Sequence, residues 1–169
     1  MKIALPEAAS AEVCTVTVEP TEARILVSLA DQLQVLLAGS LEPGADLDTA
    51  VRRLLPDAYR ADPELADEWK RLSRRGLVDR KIGFARTLST ALAPIVDAET
   101  AVDVALTTEG ALDWVRGIAD LRLVIADRMG IVVDGDEGTF AEPGLRELFE
   151  LLAWMQDGLV HALDTADST

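Results

Sequence analysis

The chain has 169 residues, 49% of them apolar and 27% charged, with 16 Lys and Arg against 30 Asp and Glu. That composition suits one globular domain and excludes a disordered, collagen-like or disulfide-scaffold chain. A formal charge of −14 repels phosphate and argues against a free-standing nucleic-acid binder, and one Cys with one His excludes an internal disulfide and a Cys/His metal cluster.

In chain order, the opening MKIALP has too short an apolar run for a signal peptide, and no stretch approaches the ~18 apolar residues of a membrane span. The expected setting is the cytoplasm, with no membrane partner. Residues 1–11 are expected to form a loosely held N-terminus. Val13, Cys14, Thr15, Val16, Thr17 and Val18 are rich in β-branched side chains and predict a strand, with Cys14, Val16 and Val18 on one face. From residue 20 to 38 the period becomes helical, with Leu26, Leu29, Leu33, Leu36 and Leu37 as its stripe and Gly39 as its stop. A short helix over 47–55 follows, capped by Asp46 or Asp48 and ended by Pro56.

A longer helix is predicted from about residue 62, with Pro63 in its first turn and Leu65, Trp69 and Leu72 as its stripe. Beyond Gly76 the stripe moves to Leu77, Phe84, Leu88 and Leu92, so a bend or a change of neighbour is expected there. Pro94 closes the segment. Residues 102–107 alternate apolar with small or polar side chains and predict a second strand, antiparallel to the first. A helix capped by Thr107 or Thr108 carries Ala111, Trp114, Ile118, Leu121 and Ile125 inward, until Gly130 ends it. Pro143 opens a last helix with stripe Leu145, Leu148, Leu152, Met155, Leu159 and Leu163, and residues 164–169 are expected to form a flexible tail. The expected fold is mainly α: a single-domain helical bundle over 12–163, of five to six helices with a small two-stranded antiparallel ribbon packed on them.

Motifs for chemistry are sparse. There is no Gly-rich phosphate loop and no G-x-S-x-G elbow. The acidic loop 134–138 fails the calcium spacing, because Gly138 falls at the fifth position and Leu145 at the twelfth, where Glu is required. His161 lies off its helix's apolar stripe, and no nucleophile is nominated beside it. Asp120 is read as a surface ion-pair partner of Arg116. No catalytic, cofactor or metal residue is therefore assigned, and the chain is not expected to be an enzyme. Cys14 has two open readings, a buried inert thiol or a redox-sensing one.

The charge distribution says more than its sum. Residues 52–86 hold ten of the 16 bases and six acids, a net of +4, which leaves −18 on the remainder. Lys70, Arg71, Arg74 and Arg75 project opposite Leu65, Trp69 and Leu72, making a basic ridge on an acidic body. That ridge is either a solvated helix face or a docking surface for an acidic partner or for phosphates, and no interleaved aromatics favour base stacking. Trp154 points away from its helix's stripe, flanked by Leu151 and with Gly158 one turn on. The group is either covered from within the fold or forms a partner or homodimer patch.

The block Val51-Arg52-Arg53-Leu54-Leu55-Pro56-Asp57-Ala58-Tyr59-Arg60 resembles a signature of the actinobacterial AosR-type oxidative-stress regulator family, long catalogued as a domain of unknown function. Trp114 leading into Ala119-Asp120-Leu121-Arg122-Leu123 and the closing stretch Trp154-Met155-Gln156-Asp157-Gly158-Leu159-Val160 support the resemblance, which covers residues 12–163. It implies a cytoplasmic, non-enzymatic protein linked to transcription under oxidative stress, through contact with a sigma factor or another transcription component. Direct DNA binding through the ridge is the alternative. The redox form of that role uses two cysteines in an internal disulfide, and Cys14 alone excludes it within one chain.

Overall fold

A computed structural model describes residues 1–6, 11–44, 46–56, 66–131, 138 and 143–168, without the side chains of residues 66–72 and 143. The described elements are β1 (Lys2–Ala4), β2 (Glu12–Val18), α1 (Pro20–Gly39), α2 (Thr49–Leu54), α3 (Ala66–Leu92), β3 (Val102–Thr107), α4 (Thr108–Arg128) and α5 (Pro143–Asp167), with a 3-10 turn at Ala93–Ile95. The fold is mainly α, as the helical periodicities predict.

Helices α1, α2 and α4 each have a local reason to start where they do. Pro20 sits in the first turn of α1, and the Glu19 N–H donates to the Glu22 carboxylate at 2.9 Å. Asp48 caps α2 by accepting from the Ala50 N–H at 2.9 Å, and Thr107 caps α4 by accepting from Gly110 at 3.2 Å. Gly130, with φ 72°, closes α4 in the left-handed region that favours Gly.

The predicted apolar stripes converge on one core. Leu26, Leu33 and Leu37 of α1, Leu88 and Leu92 of α3, Trp114 and Ile118 of α4, and Leu152, Met155 and Leu159 of α5 are all buried together. Burial of each such side chain is worth roughly 1.5–3 kcal/mol. α1 packs along α3, α4 lies between α3 and α5, and α2 rests on α4. No helix among the described residues is long and apolar enough to cross a membrane.

Two features differ from the sequence expectation, the number of strands and the extent of the last helix. The ribbon has a third strand: β1, in the stretch expected to be loose, pairs antiparallel with β2 (Ile3 opposite Val16) and gives the order β1-β2-β3. Its apolar content is a single inward Ile3, too little for a strand signal. β2 and β3 pair antiparallel as predicted, with an irregularity between Glu12 and Cys14 that lets the adjacent Val13 and Cys14 both turn inward. α3 runs as one continuous helix through Gly76, and the first of its two expected stripes, Leu65, Trp69 and Leu72, lies outside the described side chains. α5 continues to Asp167, which places most of the expected tail in its last turns. The predicted helix start near residue 62 and the loop at 134–137 lie outside the described residues.

Candidate functional site

On α3, residues 77, 80, 81 and 84 follow three- and four-residue spacing and so share one face. Leu77, Arg80, Lys81 and Phe84, joined by Arg116 of α4, line a hollow of about 510 Å³ between the two helices. Gly117 sets how closely α4 approaches. A Cβ there would lie 3.3 Å from the Phe84 backbone oxygen, so the missing side chain brings Arg116 beside α3. The Arg116 guanidinium stands 5.3 Å from the Phe84 ring centroid and 3.4 Å from Asp113 Oδ1.

Beneath the hollow, Lys81 Nζ donates to Asp120 Oδ1 at 2.5 Å. Asp120 is only 7% exposed, and its Oδ2 has no partner among the described residues. Burial pushes the Asp120 carboxyl above the usual carboxylate range, and the Lys81 ammonium opposes that rise without cancelling it. This corrects the sequence reading, which paired Asp120 with Arg116 at the surface. Arg116 pairs with Asp113 instead, and Asp120 points into the α3–α4 seam.

The hollow therefore has an apolar floor and three cationic rims. Arg80 is exposed and has no ion-pair partner among the described residues, Arg116 is exposed, and Lys81 is half-buried and tied to Asp120. Guanidinium groups stay charged and donate in a fork that matches carboxylates and phosphates, so this surface can hold anions.

Of the predicted ridge, Arg75 is exposed, while Arg74 is half-buried with Nε and Nη2 lacking partners among the described residues. The side chains of Lys70 and Arg71 lie outside the described residues. The cationic face the structure does place together is Arg80, Lys81 and Arg116. The first two were inside the basic window read from the sequence, and their three- and four-residue spacing to Phe84 and Leu77 was the available signal. Arg116 comes from another helix and left none.

The α5 patch divides. Trp154 is 46% exposed, Leu151 is half-buried against the core, and Gly158 is already occupied: a Cβ there would sit 2.7 Å from Ile3 Cδ1. The glycine seats β1, so Trp154 stands without it as an open surface. Cys14 is 1% exposed on the inner face of β2, and burial raises its thiol pKa. This is the environment of an unreactive thiol. His161 is exposed, and no cluster of three or more His, Cys, Asp or Glu suited to a metal occurs among the described residues.

Fold and surface together define a small helical bundle with a three-stranded antiparallel sheet at one side and a cationic groove on an acidic body. A family description matches residues 6–163, and the chain belongs to that family, the domain of unknown function DUF2017. No curated protein matches the chain, and no solved structure does.

Proposed function

We propose that this chain is a non-enzymatic cytoplasmic regulator that acts by contact with an acidic segment of another protein, in the setting of transcription under oxidative stress. The observation that carries the contact is the groove of Arg80, Lys81 and Arg116 on a chain of net charge −14. Such a local inversion of sign steers an acidic partner to one place on a surface that repels it elsewhere. The transcriptional setting, with a sigma factor as the partner, rests on the resemblance to the AosR-type regulators. The buried Cys14 favours a member that works without a thiol switch.

The test is capture of purified RNA polymerase holoenzyme and of its free sigma factor by the immobilised protein, comparing wild type with Arg80→Glu/Arg116→Glu. Lys81 is left intact because Asp120 depends on it. At least a tenfold fall in capture is expected. Unchanged capture removes the groove from the mechanism, and no capture by wild type removes the transcriptional setting. The three cations also suit phosphates, so duplex DNA is titrated in parallel at rising salt. Tight binding at low salt with a steep salt slope, without protein capture, would transfer the role to DNA.

A further inference from the structure

α1 shows two faces. Ala23, Leu26, Ala30, Leu33 and Leu37 are buried, whereas Ile25, Ser28, Gln32, Val35 and Gly39 are exposed. The exposed set is spaced by three, four, three and four residues, the seam on which a second helix packs. Val35 is 73% exposed and Ile25 45%. Two hollows of about 520 and 310 Å³ share Val35 and Leu36 as a common wall, and the second continues to Leu47 and Val51. A Cβ built at Gly39 meets nothing within 4 Å, so the far end of the seam is open.

The charged residues lining the two hollows are all carboxylates: Asp31, Asp46 and Asp48. Asp31 is exposed and meets the Gln34 amide at 3.1 Å. Asp46 is fully exposed and pairs directly with the exposed Arg52 at 3.6 Å, a solvent-screened contact worth little that an incoming cation can replace. Asp48 is committed to the α2 cap and to Arg128. An apolar floor with an acidic rim fits an apolar stripe with basic edges.

We propose that this face of α1 is a docking site for an amphipathic helix with basic flanks on a different protein. Apolar side chains at three- and four-residue spacing seat on Val35, Leu36 and Leu47, and Lys or Arg at their edges meet Asp31 and Asp46. A second copy of this chain is the poorer occupant, because a two-fold pairing sets the same carboxylates against one another on bodies that already carry −14 each. The site is separate from the α3–α4 groove and has the opposite charge requirement.

The probe is a short helical peptide of leucine and lysine, with a leucine/glutamate peptide of the same pattern as its control, read by fluorescence anisotropy and by amide shift mapping. The Leu/Lys peptide binds and the Leu/Glu peptide does not. Val35→Ser, an exposed position whose change leaves the core intact, weakens binding about tenfold, the loss expected when one apolar contact is removed. Asp31→Lys weakens it comparably, and Trp154→Ala leaves it unchanged. The proposal is overturned if Val35→Ser binds the Leu/Lys peptide like wild type, which would reduce the attraction to bulk charge, or if the shifted amides lie away from α1. Sedimentation showing a dimer that Val35→Ser dissolves would overturn it too, by giving the face to a second copy.

Discussion

Replacing Lys81 by Met removes the one side-chain partner that Asp120 has among the described residues of the α3–α4 seam. The methylene stem survives, so packing is nearly preserved and the change isolates the charge. The two side chains are 17% and 9% exposed, so solvent cannot fully replace the lost contact. Breaking a buried pair of this kind by removing one member costs about 3–5 kcal/mol. Because Asp120 retains some exposure, the lower end, about 3 kcal/mol, is expected at neutral pH. For a chain of this size that corresponds to a fall in melting temperature of roughly 6–12 °C.

The loss should depend on pH, and the sign follows from Asp120 itself. In the wild type the folded carboxyl holds its proton to a higher pH than the unfolded one. The folded state binds more protons between those two pKa values, so this group's contribution falls as pH rises through that interval. In Lys81→Met the opposing ammonium is gone, and the interval extends further upward. Urea unfolding from pH 7.5 to pH 4.5 should therefore show the deficit shrinking on acidification, as the carboxyl is protonated. Lys81→Met/Asp120→Asn should recover most of the stability at neutral pH. A deficit that is flat across that range, or a double variant as weak as the single one, would refute the buried-charge reasoning.

Further outcomes follow from other contacts. Asp48→Ala should cost about 1 kcal/mol in urea unfolding through loss of the α2 cap. Hydrogen bonding to Arg128 holds the Asp48 carboxyl below its ordinary range, so its stabilisation is present above the unfolded pKa and is lost as pH falls through the folded one. That part of the stability profile should vanish in the variant. Cys14 should react with a thiol reagent at the rate of global opening, and peroxide should leave it reduced in the folded protein; fast labelling without denaturant would contradict its burial. Gly117→Leu should destabilise by about 2–3 kcal/mol, because the side chain must enter the space 3.3 Å from the Phe84 carbonyl. Gly83→Ala, with no atom within 4 Å of the new Cβ, should instead raise stability by up to about 1 kcal/mol through helix propensity. Thermal unfolding of the pair separates close approach from backbone preference.

The elements legible in the sequence were those whose signal repeats locally. The stripes of α1, α4 and α5 were readable because Leu26 to Leu37, Ala111 to Ile125 and Leu152 to Leu159 return to one face every turn. β2 and β3 were readable from their β-branched runs, and their pairing from the scarcity of other partners. β1 was not, because a three-residue strand with one inward side chain gains its stability from the neighbour that receives it, Gly158 on a helix far along the chain. The α3–α4 groove was half visible. Arg80 and Lys81 stood in a basic window, but Arg116 joins them only through the helix crossing that Gly117 permits. The outward apolar residues of α1 were hidden by the stronger inward stripe on the same helix, and Asp120 looked like any exposed acid because its burial depends on where α3 lies.

The β2–β3 ladder carries a consequence for the order of folding. Thr17 and Asp103, whose side chains bond at 2.6 Å, are 86 positions apart. Closing so long a loop costs on the order of 4 kcal/mol of chain entropy before any ladder bond repays it. Helices α1 to α3 occupy the intervening chain, and their docking shortens the gap in advance. On chain-entropy grounds β3 should join β2 only after the bundle has docked, and a nascent chain that has not yet emitted residue 107 holds its N-terminal strands without the partner that completes them.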